Sequence, residues 1–245
     1  MSDMNGDHAN RVPKIIFVGV DGVLVRFAEQ MSDAANAAAL AFHKHIENFA
    51  PVGIREAAPS LTAVYLKLDL DADIVQVVQS VTEEVHARDW FAEPMLQSRV
   101  WTIPCSFDGP QLSEAAQLAG VNETQAVAQI TATQVRVLTL GFAPGQPYLG
   151  NLESHWNIAR MDGVAPRVPA RALVVAVAQL IIFANETPTG WRHIGQSAFQ
   201  CFDQNRAEPF AFQAGDRVQF VSAARSEIDA LWDDSFGGAR LEVVS

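Results

Sequence analysis

The sequence predicts an α+β protein: a ferredoxin-like βαββαβ N-terminal domain followed by a β-barrel domain. Three observations carry this. Two windows in the first hundred residues place apolar side chains at spacings of three and four, and runs of strand-forming residues flank them. Beyond Val135 the pattern changes to short apolar runs separated by Pro- and Gly-bearing turns, as in a closed sheet. The chain of 245 residues, 49% hydrophobic and 18% charged, has the length and composition to bury one large core or two modest ones.

Residues 1–12 are polar, with Asp3, Asp7 and His8, and lack the basic and apolar regions of a signal peptide, so they read as a disordered tail. The β-branched run 15–20 continues through Val23, Leu24, Val25 and Phe27 as the first strand, with Asp21-Gly22 marking a bend or bulge. Ser32 suits a helix cap, and Ala35, Ala38, Ala39, Phe42, Ile46 and Phe49 form the buried stripe of that helix up to Pro51-Val52-Gly53. Strands at 54–58 and 62–68 form an antiparallel pair. A second helix then puts Ile74, Val77, Val78, Val81 and Val85 on one face, with Asp71 or Asp73 at its positive start. The run 99–104 returns as the last strand and closes a ferredoxin-like domain over residues 13–104. The barrel domain is expected over 105–245. Its first elements are helices at 111–119 and 123–130, the second capped by Asn122 with Gln125 three residues on. Strands are expected at 135–140, 173–177, 180–183 and 217–221.

The formal net charge of -11, with no Lys/Arg stripe, argues against nucleic acid as a partner. The longest apolar stretch, 172–184, contains Gln179 and is too short to span a bilayer, so no membrane segment is expected. Cys105 and Cys201 are the only cysteines, which suits a reduced, cytoplasmic setting. None of the six histidines sits at a ligand spacing from another His, Cys or carboxylate, so no metal is expected.

The stretch from Leu140 to Gly150 is dense in Gly and Pro, directly after a strand. Such a loop either lets backbone N–H groups approach an anionic ligand or serves as a rigid connection. Its residues Gly141, Phe142, Pro144, Gly145, Pro147, Tyr148 and Gly150 resemble the pattern G-F-x-P-G-F-P-Y-L-G, with Gln146 in place of the second Phe. Downstream, Pro188, Gly190, Trp191 and His193 lie in a segment similar to S-P-G-G-W-x-x-I-G. Phe202-Asp203 and Gly215-Asp216 are similar to the later F-D and P-G-D-x-V-x-F. In order and spacing these resemble the motifs of the family that holds the B subunit of 5-oxoprolinase and the first subunit of allophanate hydrolase, to which a sporulation-kinase inhibitor is related.

That resemblance implies a cyclophilin-like barrel. It also implies a second carboxyltransferase-type subunit, and in some relatives a third, lactam-binding one. The reaction implied is the ATP-dependent opening of 5-oxoproline, a small anionic substrate. A lactam resists water, so ATP must activate its carbonyl or drive the equilibrium, and the site must stabilise negative charge. The resemblance assigns catalytic roles to Arg160, Gln179 and Arg192, and substrate contacts to the loop residues together with Pro188, Gly190, Trp191 and His193. Trp191 suits either ligand stacking or barrel packing.

Several family features are missing. Ile130 occupies the place of a His, Ala159-Arg160-Met161 replaces P-R-R, Leu180 and Ile181 follow Gln179 in place of T-G, and Arg171 stands where the pattern has Gly. A hydrolase subunit whose partner completes the site is therefore one reading, and a catalytically degenerate binding protein is the other. Both expect the Pro144–Pro147 turn and the Trp191 segment to meet across one barrel mouth.

Overall fold

The computed structural model describes residues 12–92 and 98–244, in two compact units, Met1–Leu96 and Gln97–Ser245. In the first unit the run 15–27 is not one strand. It folds back as a hairpin of β1 (Lys14–Val18) and β2 (Gly22–Arg26), with Phe17 opposite Val23 and Val18 opposite Gly22. Gly19 takes a left-handed φ of +67°, and any Cβ at Gly22 would sit 2.6 Å from the Tyr65 ring. The expected bend at Asp21-Gly22 is thus a full chain reversal that only small residues allow.

α1 (Asp33–Phe49), β3 (Ile54–Ser60), β4 (Ala63–Leu68) and α2 (Ile74–His86) follow, and the antiparallel sheet runs β1-β2-β4-β3. Strand β4 lies between β2 and β3, the split βαβ arrangement of a ferredoxin-like sheet. The edge position beside β2 is filled by β1. The strand expected there from 99–104 finds that ladder already occupied and belongs to the second unit, so the barrel starts before the expected boundary at 104/105.

Both helices are capped as their sequences indicate. Ser32 Oγ accepts from the Ala35 N–H at 3.2 Å, and the Asp73 carboxylate accepts from Val75 and Gln76 at 3.0 and 3.2 Å. Phe42, Ile46, Val77, Val81 and Val85 meet Val23, Val25, Val64, Leu66 and Leu68 in one core, each such side chain worth about 1.5–3 kcal/mol of burial. Phe49 ends the α1 stripe outside that core, stacked on His45 at 5.7 Å.

The second unit opens with β5 (Ser98–Ser106), α3 (Leu112–Leu118), α4 (Glu123–Ala132), β6 (Gln134–Leu140) and β7 (Pro147–Gly150). It continues with β8 (Ala165–Val168), β9 (Ala172–Ala176), β10 (Gln179–Ile182), β11 (Thr187–Thr189) and β12 (Arg192–Ser197). β13 (Arg217–Ser222), α5 (Arg225–Ala230) and β14 (Arg240–Val244) complete it. Among the described residues the sheet order is β12-β9-β10-β7-β6-β13-β5-β14, and β12 also pairs with β5, closing a seven-stranded barrel with β14 outside it. Trp101, Ile103, Val137, Leu149, Leu173, Val175, Leu180, Ile182 and Phe220 fill the lumen, together with Ala126 and Ile130 from α4. Asn122 and Gln125 form the expected capping box of α4.

Strand β9 is buried at all five positions because both of its faces are covered. Leu173 and Val175 face the lumen. Ala172, Val174 and Ala176 face outward, beneath Val168 of the β8–β11 ribbon and Trp191. The β9–β10 turn places Val177 and Ala178 at φ of 46° and 57°, the primed two-residue geometry that normally selects Asn or Gly. Their N–H groups donate to Ile158 and Trp156 at 2.8 and 3.0 Å, which holds the strained turn in place. Arg171 is also left-handed, with φ 66°. Its guanidinium donates to the Ala198 and Trp232 carbonyls at 3.1 and 2.6 Å and lies 4.2 Å over the Trp232 ring. These ties offset the conformational cost of a side chain where the family pattern has Gly.

Candidate functional site

A cavity of about 560 Å³ lies between α3, the start of β12 and the segment leading into β8, lined by Gln111, Glu114, Ala159–Ala165 and Arg192. Arg192 begins β12 with its side chain only 7% exposed. A buried guanidinium needs partners, and it has two: Nε donates to Glu114 Oε1 at 3.0 Å and Nη1 to the Ala159 carbonyl at 2.5 Å. Arg160 is exposed, and its guanidinium carbon lies 5.3 Å over the Trp191 ring. Trp191 is buried and packs edge-on to Tyr148, with centroids 6.4 Å apart. The Gly190 carbonyl accepts from the Met161 N–H at 2.7 Å, and a Cβ at Gly190 would stand 3.3 Å from the Met161 carbonyl. Gly190 therefore lets the Arg160 segment lie against the turn into β12, while Pro188 is exposed on β11.

The Gly/Pro loop sits elsewhere. The Gly141 N–H donates to the Gln146 carbonyl and the Gln146 N–H to the Ala143 carbonyl, each at 3.1 Å, so neither is directed at a ligand. Gly145, at φ 71°, leaves only 2.7 Å between a would-be Cβ and the Cys201 carbonyl, so the turn packs on Cys201–Phe202. Gln146 is buried, and its side-chain oxygen accepts from the Ala184 N–H at 3.2 Å, an anchor that the Phe of the family pattern could not supply. Phe142 projects 77% exposed, Pro144 is exposed, and Pro147 and Gly150 are buried in the wall.

The two motif segments therefore touch through Tyr148 and Trp191 on the outer face of the barrel wall, not across its mouth, because Tyr148 and Ile181 pair on that face. None of the loop residues 141–150 lines the cavity. Gln179 begins β10 opposite Ala176 and does not line it either.

His193, expected as a substrate contact beside Arg160 and Arg192, does not line this cavity. Arg192 and His193 are consecutive on a strand and point to opposite faces, so His193 lies with Ser106, Asp108 and Arg225 instead. Burial holds the His193 imidazole below its ordinary pKa, with nearby Arg225 adding to the effect. A hydrogen bond to the Gly195 carbonyl at 3.0 Å and the Asp108 carboxylate act in the opposite sense. Arg192 is balanced by Glu114, which leaves Arg160 as the cation that an anion in this cavity would meet.

Sequence reasoning missed Gln111, Glu114 and Asp162. The Arg192–Glu114 contact joins residues 78 apart in the chain, and no local pattern marks such a pair. Cys105 and Cys201 are free thiols, both fully buried and both pushed well above the ordinary thiol pKa by that burial, so neither is a nucleophile. Among the described residues no group of three His, Cys, Asp or Glu side chains gathers as a metal site, and no helix is long and apolar enough to cross a membrane.

The second unit is thus a closed seven-stranded barrel with Arg160 and Arg192 beside one cavity, and a small α/β unit precedes it in the chain. Residues 13–212 match the family described as carboxyltransferase domain, subdomain C and D, and the chain belongs to it. It is 26% identical over 230 residues to the B subunit of 5-oxoprolinase from Bacillus subtilis (strain 168), covering 89% of this chain and 96% of the relative. It is 32% identical over 173 residues to the B subunit of 5-oxoprolinase from Escherichia coli O157:H7, covering 68% of this chain and 77% of the relative. Among solved structures it resembles TTHA0988 with a TM-score of 0.72 and 32% identity, over 83% of this chain but 40% of that longer one.

Proposed function

We propose that this chain is a subunit of an ATP-dependent 5-oxoprolinase, working in the cytoplasm with a second carboxyltransferase-type subunit, and with a third, lactam-binding one where present, to open 5-oxoproline to glutamate. The observation that carries this is the cavity beside Arg160, inside the family-matched residues of a chain whose relatives are named as the B subunit of 5-oxoprolinase. Arg160, steadied on the Trp191 face, takes the substrate carboxylate. Glu114 and Asp162 offer acceptors for a lactam N–H.

ATP supplies the activation that the lactam carbonyl lacks. The residues of this cavity do not fit a triphosphate: Arg192 is balanced by Glu114, and Asp162 adds a second carboxylate. Outside it, in the Gly/Pro loop, the Gly141 and Gln146 amides are already bonded. In this reading the partner subunit holds the nucleotide.

A second reading, a binding protein without turnover, is favoured by Ile130, which is fully buried in the barrel core where the family pattern has a His. Reconstitution separates the two. The chain with its partner subunit, ATP and 5-oxoproline is expected to release glutamate, and Arg160→Ala is expected to lower that release by at least about tenfold. No release from the complete assembly would leave the binding reading standing.

A further inference from the structure

We propose that the open edge of β14 pairs with the same edge of a second copy of this chain, antiparallel about Leu241, so that Arg240 of each copy faces Glu242 of the other. Among the described residues β14 is the last strand of its sheet, hydrogen-bonded to β5 on one side and to nothing on the other. Folded proteins blunt such edges with Pro, Lys, bulges or short strands. The two edges of the first unit show this: β3 carries Pro59 and a register shift between Ile54 and Glu56, and β1 carries Lys14, engaged with Glu29. β14 has neither Pro nor Lys, and it exposes Leu241 by 41% and Val243 by 61%.

Its charges select the partner. Arg240 and Glu242 are exposed, share one face at a spacing of two, and make no ion pair with another described residue. An antiparallel pair with its twofold axis at Leu241 sets each Arg240 opposite a Glu242, sets Leu241 against Leu241, and covers the exposed apolar side chains. An axis at Arg240 or at Glu242 would bring like charges face to face. A shift of one residue would oppose charged to apolar side chains. One register of one partner thus satisfies the strand. Leu241 lies opposite Trp101 of the barrel lining, so the joined sheet would run from one barrel into the next through β5 and β14 of each copy.

The test is the mass of the full chain in solution, followed by light scattering and sedimentation over a concentration series. The apparent mass is expected to rise with concentration from 26.6 kDa towards twice that value. Glu242→Arg sets Arg against Arg240 twice across the axis and is expected to weaken association by about tenfold or more. The double exchange Arg240→Glu with Glu242→Arg restores the opposite pairs and is expected to restore dimerisation, with melting temperature as the check on folding in every variant. A monomer at all concentrations, a dimer indifferent to Glu242→Arg, or a double exchange that fails to rescue would each overturn the proposal. So would loss of the dimer on Phe17→Lys with no effect of Glu242→Arg, which would move the interface to β1. Pairing of β14 with the carboxyltransferase-type partner in place of a second copy would overturn it as well.

Discussion

Gln111 and His193 are joined by two hydrogen bonds that close a ring: the Gln111 N–H donates to the His193 carbonyl at 3.0 Å, and the Gln111 side-chain oxygen accepts from the His193 N–H at 3.0 Å. The start of α3 is thereby suspended from β12, and three residues on, Glu114 meets the Arg192 guanidinium. Gln111→Ala is expected to cost about 1–2 kcal/mol, since it leaves a half-buried N–H without its acceptor. Chemical denaturation checks this, and Gln111→Glu, which keeps the acceptor, is expected to retain most of the stability.

Glu114→Ala strips the buried Arg192 guanidinium of its carboxylate. Glu114 is itself 51% exposed, so solvent recovers part of the loss, and the expected cost is about 1–2 kcal/mol, below that of breaking a fully buried pair. Glu114→Gln is expected to cost less because it can still accept from Nε. Denaturant midpoints of the two variants, compared with wild type, are the measurement.

Val177 is a β-branched residue at φ 46° with 40% of its surface exposed, so its side chain contributes little packing to offset the backbone strain. Val177→Asn is expected to raise stability by about 0.5–1 kcal/mol, because Asn tolerates the left-handed region. The hydrogen bonds from this turn to Ile158 and Trp156 are made by the backbone and survive the change. A lower melting temperature for this variant would contradict the account.

His193 sets an acid dependence. Its folded pKa is depressed below 6.5, chiefly by burial, with Arg225 adding to the effect against the Gly195 carbonyl and Asp108. The stability linked to its neutral form is present in full above the unfolded value near 6.5 and is lost as pH falls through the folded value. Melting curves from pH 8 to pH 5 are expected to show a fall in that window, and His193→Gln is expected to flatten it.

The helices were legible because burial leaves a periodic mark: Phe42 and Ile46 on α1, and Val77, Val81 and Val85 on α2, lie where their spacing put them. The Asn122–Gln125 cap was legible because both partners lie within one turn. Strand destination was not. Trp101, Ile103 and Cys105 alternate as a half-buried strand should, but alternation says nothing about which sheet receives it, and only the earlier occupation of β2 by β1 sends β5 to the barrel. The hairpin at Val18–Gly22 escaped notice because the apolar run continues on both sides of it. In the site, the nearness of Arg160 to Arg192 and Trp191 could be anticipated from the motifs. The neutralising Glu114 could not, since it arrives from a helix whose own pattern records only its buried face.

The position of Arg160 over Trp191 gives the protein a built-in optical sensor. An indole's emission responds to a charge held above its ring, so an anion that draws the guanidinium away would shift the colour of that fluorophore, and occupancy could be followed with no added label. Trp90 and Trp232 also lie under arginines, so loss of the shift in a Trp191→Phe variant would assign the signal to this one cavity.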